Sequence, residues 1–393
     1  MINFKDELGS IRAKGLERKM LIFSSACGPY IKFGKKKLLN LCSNNYLGLA
    51  DDKRLKEAAI SAIRKFGVGT GASRLVSGST VLHKKLEEKL ASFKKQEACL
   101  VYSCGYNANL GIISALAGRN DIVFCDRLNH ASIIDGIILS RAELVRYPHK
   151  DVRALEEMLM RVKGQGLSGK KKFIITDSVF SMDGDIAPLP ELLELARKYD
   201  CLLIIDEAHA TGVLGKKGRG ALEHFNIKAD ERIIVMGTLS KALGGLGGYA
   251  CGNKDLIDFL VNRSRAFIFT TALPAALCAS SIKALEIIEK EDILRKRLLD
   301  NARYLREGLE REGFDTFGSE TPIIPILTKD PKVTMDFSRK LFKEEIFVQG
   351  IRPPTVPEGS SRLRATVMAA HTKKDLDFAL DKFREIGHQL KLI

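Results

Sequence analysis

A lysine whose surroundings suit covalent chemistry ends the segment GTLSK at residues 237–241. Four glycines follow Lys241 within seven residues, which keeps the backbone compact and leaves the lysine amine accessible. A lysine amine that can lose its proton forms a Schiff base with an aldehyde, and a cationic, partly desolvated environment favours that loss. An ordinary surface loop is the alternative, because glycine clusters are turn signals.

An acid and an imidazole stand close together in the segment DEAH at residues 206–209. An apolar run precedes Asp206, so we expect its carboxylate at the end of a strand, with His209 three residues later. A carboxylate beside the ring nitrogen of pyridoxal 5'-phosphate (PLP) keeps that nitrogen protonated, so that the ring can accept electrons from a carbanion. Helicases carry the same four letters, but the chain contains no G-x-x-x-x-G-K-[ST] motif to cradle a triphosphate.

Four further segments could complete a PLP site. His130 in NHAS could stack on a flat ring, and the turn SCGYN at 103–107 could hold a phosphate at a helix N-terminus. Ser181 in VFSMDGD could bond the cofactor, and Arg364 could bind a carboxylate through two guanidinium nitrogens. A packed histidine, a helix cap, an Asp-Gly turn and a salt-bridged strand edge are the respective alternatives.

The elements that would position these residues alternate along the chain. Short apolar runs lie at 121–126, 172–177, 201–206, 232–237 and 248–252, and segments with helical spacing include 152–162 and 189–199. This alternation predicts an α/β fold, in which helices cover a mostly parallel sheet and ligands lie beyond the carboxyl ends of the strands. The residues expected at those ends are Asp126, Asp177, Asp206 and Thr238.

The pattern changes after a long helical stretch from 274 to about 312. Separated strands and a final helix then predict a smaller α+β domain, with strands at 322–327, 347–351 and 361–368 and a helix from Lys373. The first forty residues indicate a helix and a short strand pair. We therefore predict an N-terminal arm (1–42), a large PLP-binding domain (43–285) and a C-terminal α+β domain (286–393).

Composition points to an ordinary globular protein. The 393 residues include no apolar run that approaches a membrane span, and Asp6 and Glu7 are unlike the start of a signal peptide. The eight cysteines form no C-x-x-C pair, so we expect a cytoplasmic protein without a metal site. The net charge of +15 leaves a polyanionic partner such as a nucleic acid as an alternative to a merely basic surface.

In this order, the segments resemble the α-oxoamine synthases, PLP enzymes of fold type I, from about Asn40 to His371. The matching segments are SNNYLGL (43–49), GY (105–106), NHAS (129–132), VFSMDGD (179–185), DEAHATG (206–212), TLSK (238–241) and RLR (362–364). The resemblance implies a homodimer with active sites at the subunit interface. It also implies a condensation of a small amino acid with an acyl thioester and loss of carbon dioxide.

The resemblance assigns catalytic roles to four positions. Lys241 would be the Schiff-base lysine and proton carrier, and Asp206 would pair with the pyridinium nitrogen. His130 would stack on the cofactor ring and contact the substrate, and His209 would bind the phenolic oxygen of the cofactor.

Other positions would bind the cofactor or its substrates. Those that match ring or phosphate contacts are Gly105, Tyr106, Ser181 and Thr238, with Thr271 reaching the partner subunit's phosphate. Those that match substrate contacts are Arg18, Asn44, Thr355 and Arg364, the last of which would grip the amino-acid carboxylate. Asp177 departs from the family, because a glutamate is common at its position.

The segment IRPPTVP at 351–357, which contains Thr355, resembles that of the family member that uses L-alanine and a pimeloyl thioester. This implies pimeloyl-CoA or pimeloyl-acyl carrier protein as the second substrate, and neither a nucleic acid nor a membrane as partner. Members that use glycine or serine remain alternatives, as do a nucleic-acid-binding protein and a non-catalytic scaffold.

Overall fold

The computed structural model describes residues 2–13, 16–164 and 170–393. Its helices are α1 Phe4–Ala13, α2 Lys53–Phe66, α3 Val81–Lys94, α4 Gly105–Leu116, α5 Ala131–Ser140, α6 Val152–Gly164, α7 Leu189–Lys198, α8 Ala221–His224, α9 Lys254–Arg263, α10 Arg265–Ile268, α11 Ala275–Lys290, α12 Asp292–Arg311, α13 Pro331–Lys343 and α14 Lys373–Gln389. Its strands are β1 Tyr30–Phe33, β2 Lys36–Asn40, β3 Ala98–Tyr102, β4 Ile122–Asp126, β5 Glu143–Tyr147, β6 Lys172–Asp177, β7 Leu202–Asp206, β8 Ile233–Thr238, β9 Gly248–Gly252, β10 Ile323–Lys329, β11 Ile346–Phe347, β12 Gln349–Ile351 and β13 Ser361–Thr366.

The central sheet has seven strands in the order β3-β9-β8-β7-β6-β4-β5. Strand β9 runs antiparallel to both of its neighbours, and the remaining pairs are parallel. The predicted α/β fold with a mostly parallel sheet is therefore confirmed. The register places Asp177 opposite Asp206, so the carboxyl ends of β6 and β7 bring two acids side by side.

Both faces of this sheet are buried, because alternate side chains of each strand point to opposite faces. Phe124, Ile174 and Leu203 belong to one hydrophobic core. Their neighbours in the same strands, Val123, Phe173 and Ile204, belong to a second core on the other face. The near-continuous apolar runs of the sequence thus fix the middle of the sheet and leave its carboxyl ends for polar side chains.

Two three-stranded sheets complete the fold, in the orders β1-β2-β11 and β10-β13-β12. One strand had been expected over 347–351, but the structure divides this region. Strand β11 pairs with β2, whereas β12 pairs with β13. The helical stretch from 274 likewise consists of α11 and α12, which meet at Glu291. Apolar periodicity identifies an element but not its pairing partner, which explains the divided strand region. The domain limits at 42 and 285 remain predictions.

In the described ranges, no helix combines the length and the apolar character that crossing a membrane requires. The same residues contain no group of three or more His, Cys, Asp or Glu side chains that could hold a metal ion.

Candidate active site

A cavity of about 240 Å³ opens where β6, β7 and β8 end and where α4 and α5 begin. Eight of the nine predicted cofactor-binding residues line it: Gly105, Tyr106, His130, Ser181, Asp206, His209, Thr238 and Lys241. The remaining lining residues are Cys104, Asn109, Ser132, Asp177, Ala208, Met236 and Ser240. The fold therefore gathers residues that are spread over 138 positions of the sequence, from 104 to 241.

Lys241 lies in the loop between β8 and β9, and hydrogen bonds within this loop hold it in place. The Thr238 hydroxyl donates to the carbonyl oxygen of Gly247 at 2.8 Å, which closes the loop around the lysine. Burial lowers the pKa of Lys241 to about 8, although the negative charges of Asp206 and Asp177 oppose the shift. An amine with such a pKa is partly unprotonated near neutral pH, which is the state that attacks an aldehyde.

Asp206 is buried and held by two donors. The side-chain amide of Asn109 donates to its Oδ2 at 2.8 Å, and the backbone N–H of Ala208 donates to its Oδ1 at 2.8 Å. Asn109 was missed in the sequence, although it lies one helical turn after Gly105 and so faces the same side of α4. Its own Oδ1 is buried without a hydrogen-bond partner in the described chain.

His130 caps the start of α5 and is oriented by two contacts. Its backbone N–H donates to Asp177 Oδ2 at 2.7 Å, and its Nδ1 lies 2.8 Å from the hydroxyl of Ser132. The ring of Tyr106 approaches the ring edge-on, with centroids 6.5 Å apart. The imidazole is exposed to the cavity, where a flat ring could stack on it.

Asp177 and Asp126 were both predicted from their strand-end positions, but only Asp177 lines the cavity. Asp177 lines the cavity, and burial together with the nearby charge of Asp206 raises its pKa well above the usual range. Asp126 does not line the cavity, so its candidacy as a site residue was wrong. Its carboxylate instead accepts hydrogen bonds from the backbone N–H of Lys150 and contacts the imidazole of His149.

Arg364 lies beside the cavity rather than in its wall. Its guanidinium donates to the carbonyl oxygen of Ser181, to Thr366 Oγ1 at 2.9 Å and to Asn44 Oδ1 at 3.1 Å. The structure therefore joins the predicted substrate residues Arg364 and Asn44, which stand 320 positions apart. Arg362, two positions away on β13, projects to the same face because side chains alternate along a strand, and it pairs with Asp183.

The other two predicted substrate residues meet in a second cavity of about 730 Å³. Arg18 and Thr355 both line it. The cavity lies between residues 16–21, helix α13 and the segment 347–355, and apolar side chains form much of its wall, among them Leu16, Leu21, Met335, Phe342, Phe347 and Ile351.

Thr271 is exposed and does not line the cavity around Lys241 in its own chain. It pairs with Ser73 in a short antiparallel bridge. Its predicted contact with the phosphate bound by the partner subunit remains a prediction.

The cavity around Lys241 suits PLP. It contains an amine with a lowered pKa, a buried carboxylate and an exposed imidazole, and the N-terminus of α4 opens onto it. The backbone there is tightly packed, since a Cβ on Gly248 would lie 2.5 Å from the carbonyl oxygen of Cys104. Glycine at this position lets the turn before α4 lie close to the start of β9.

Comparison with known proteins identifies the family of the chain. Residues 36–383 match the family described as aminotransferase class I and II. An 8-amino-7-oxononanoate synthase from Citrifermentans bemidjiense is 51% identical over 395 residues, covering 100% of both chains. Another from Thermoanaerobacter pseudethanolicus is 50% identical over 390 residues, covering 99% of this chain and 98% of the relative.

Solved structures extend the comparison. A lysine-to-alanine variant of a serine palmitoyltransferase from S. paucimobilis, with a bound PLP–myriocin aldimine, has a TM-score of 0.92 and 31% identity, covering 99% of this chain and 98% of that one. An 8-amino-7-oxononanoate synthase from Francisella tularensis has a TM-score of 0.77 and 30% identity, covering 91% of this chain and 99% of that one. The chain thus belongs to the aminotransferase class I and II family and, within it, to the α-oxoamine synthases that its motifs indicated.

Proposed function

We propose that the protein is a PLP-dependent acyltransferase of biotin synthesis. It joins L-alanine to a pimeloyl thioester, releasing carbon dioxide and the thiol and giving 8-amino-7-oxononanoate. The observation that carries the proposal is the meeting of Lys241, Asp206 and His130 in one cavity. The chain that carries these residues is 51% identical, over its full length, to an 8-amino-7-oxononanoate synthase.

Three residues of the cavity would have distinct tasks in this reaction. PLP supplies an aldehyde and an electron-accepting ring. Lys241 offers the amine for the aldehyde and carries the proton of the amino-acid Cα, for which its pKa of about 8 is suited. Asp206 would pair with the ring nitrogen and keep it protonated, and His130 would cover the ring face.

The amino-acid carboxylate binds Arg364. Its guanidinium is fixed by Ser181 and Asn44, so that little side-chain freedom is lost when a carboxylate approaches. Arg362, which lies two residues before Arg364 on β13, already forms an ion pair with Asp183 and is therefore less available to a substrate.

The acyl group occupies the cavity of about 730 Å³ that contains Arg18 and Thr355. Its apolar wall suits the methylene chain of a pimeloyl group. Its polar wall is strongly cationic, because Arg18, Lys19, Arg339, Lys343 and Arg352 line it together with a single acid, Glu17. Such a wall suits an anionic substrate, whether the thiol belongs to coenzyme A or to an acyl carrier protein.

The protein acts as a homodimer. Two chain segments that pack against each other, 68–76 and 269–272, expose large apolar side chains close to Thr271. Val76 is 80% exposed, Val68 78% and Phe269 69%. A patch of this kind marks an interaction surface. If a second subunit covered this patch, the segment that contains Thr271 in each subunit would lie near the Lys241 cavity of the other subunit.

The test is an absorbance spectrum of the protein loaded with PLP, titrated with L-alanine, glycine and L-serine. We expect a cofactor band that L-alanine perturbs at much lower concentration than the other two amino acids. The matched variant Lys241→Ala should lose the covalently bound cofactor and turnover with pimeloyl thioesters. A preference for glycine or serine would move the substrate to another family member, and full activity of Lys241→Ala would reject the proposal.

A further inference from the structure

A buried hydrogen bond connects the turn after β2 with the DEAH segment. The hydroxyl of Tyr46 lies 2.6 Å from Nδ1 of His209, and both side chains are buried. The two residues are 163 positions apart, and their rings meet edge-on with centroids 6.0 Å apart. Tyr46 itself does not line the cavity around Lys241, whereas His209 does.

The direction of this hydrogen bond follows from the protonation states of the pair. Burial raises the pKa of Tyr46 to about 12, although the neighbouring guanidinium of Arg364 opposes the shift. Burial, with the charges of Lys241 and Arg364, lowers the pKa of His209 well below its usual value. Both groups are therefore neutral near pH 7, and a neutral imidazole has one donor nitrogen and one acceptor nitrogen.

The hydroxyl hydrogen of Tyr46 has one suitable acceptor. Arg364, the other polar group near the hydroxyl, can only donate. If Nδ1–H of His209 donated to the tyrosine oxygen, the buried phenol hydrogen would lose its acceptor, which is costly. The phenol therefore donates to Nδ1, and the proton of the imidazole resides on Nε2.

The second nitrogen of His209, Nε2, has no hydrogen-bond partner among the described residues. His209 lines the cavity and is only 7% exposed. An N–H at this position can only be satisfied by a ligand or by water. The geometry thus presents one donor to whatever occupies the cavity.

We propose that Tyr46 is a positioning residue that holds His209 as its Nε2–H tautomer, so that the cavity presents a donor and not a lone pair. The purpose of the donor rests on the proposed function. The phenolic oxygen of PLP accepts hydrogen bonds, so an Nε2–H stabilises it and an Nε2 lone pair repels it. Tyr46 also lies next to Arg364, which places it between the proposed carboxylate and cofactor contacts.

The test is the tautomeric state of His209, read from the two ring nitrogens by NMR of protein labelled with ¹⁵N-histidine and loaded with PLP. The chain has seven histidines, and a spectrum of His209→Gln identifies the signals of His209. We expect a single Nε2–H tautomer in the wild type. An Nδ1–H tautomer in the wild type would overturn the proposal, whether or not any variant folds.

The variant Tyr46→Phe removes the donor and keeps the ring. We expect a mixture of His209 tautomers, a shifted cofactor absorbance band and a loss in kcat of about tenfold. The reason is that His209, without the hydrogen bond from Tyr46, would present the Nε2–H donor to the cofactor only part of the time. The KM for L-alanine should change less than kcat, since Arg364 remains. An unchanged tautomer with unchanged kcat would contradict the proposal.

A control removes a buried tyrosine hydroxyl elsewhere. Tyr102 donates to Ser264 at 3.1 Å in the described chain and does not line the cavity. Tyr102→Phe should lower stability to a similar degree and leave the His209 signals and the absorbance band unchanged. If L-alanine failed as a substrate, the tautomer result would still stand, so the two proposals fail separately.

Discussion

Asp177 and Asp206 stand opposite each other at the ends of neighbouring parallel strands, yet their surroundings differ. Asp206 accepts hydrogen bonds from the side-chain amide of Asn109 and from the backbone N–H of Ala208. Asp177 is buried beside Asp206, and its pKa rises well above the usual range. Equivalent strand-end positions therefore give the two carboxyl groups different hydrogen-bond partners.

This difference predicts unequal effects of the same substitution. Asp206→Asn removes a buried carboxylate that would pair with the cofactor, so we expect turnover to fall more than about 100-fold. Asp177→Asn keeps an oxygen for the backbone N–H of His130, so the loss should stay below about tenfold. Steady-state kinetics and PLP titration of both variants provide the measurement. Equal losses would contradict the assignment of roles.

At the scale of elements, an ionic cluster fastens the loop that carries Ser181. His149 contacts Asp126 at 3.0 Å and Asp185 at 2.9 Å, and its ring packs edge-on against Phe180. Lys150 also pairs with Asp185. Although burial alone would lower it, the hydrogen bonds to Asp126 and Asp185 raise the pKa of His149 to about 9.

A raised pKa makes stability depend on pH in a defined direction. The protonated imidazole stabilises the fold fully below about pH 6.5, the value of the unfolded chain, and the contribution disappears as pH rises through about 9. We expect about 2–3 kcal/mol from this group. Urea unfolding of the wild type and His149→Gln from pH 6 to 10 measures it, and the difference should shrink toward pH 10. A difference that stays constant would show that packing, not charge, is responsible.

The contact between β9 and the turn before α4 is a second element that shapes the site. In Gly248→Ala, the new Cβ would lie 2.5 Å from the carbonyl oxygen of Cys104 and 2.8 Å from the Cα of Gly105. We expect a loss of about 1–3 kcal/mol in the free energy of unfolding and weaker PLP binding, because the turn must move. Chemical denaturation and PLP titration measure the two effects.

Gly245→Ala is the matched control, because its Cβ would meet the movable hydroxyl of Ser281 at 3.2 Å. It should bind PLP nearly as the wild type does. If both variants bound PLP normally, the close approach of the turn would not matter for the cofactor.

At the scale of the whole molecule, the apolar patch around Val76 predicts the oligomeric state. Val76→Arg places a charge where the second subunit would bury the side chain, so we expect a shift from dimer to monomer and weaker retention of PLP. Size-exclusion chromatography with light scattering measures the mass. Met160→Arg, at a site on α6 that is 51% exposed, is the control and should leave the mass unchanged. A wild type that is monomeric at micromolar concentration would reject the dimer.

The sequence by itself located five of the seven strands of the central sheet, β4, β6, β7, β8 and β9, and the polar residues at their ends, whereas β3 and β5 were not predicted. A parallel strand buried on both faces is an uninterrupted apolar run, and the first polar residue after the run marks its end. This pattern located Asp177, Asp206 and Thr238, and Lys241 follows Thr238 by three positions. The motifs then identified the family, since seven short segments recur in one order.

The tertiary structure alone decided which of these residues meet. It excluded Asp126 from the cavity, brought in Asn109, joined Arg364 to Asn44, divided residues 346–351 between two sheets and placed Tyr46 against His209. These contacts join residues up to 320 positions apart. Local periodicity determines the direction of a side chain within its own element, but the partner across the fold depends on how whole elements pack, which no local pattern encodes.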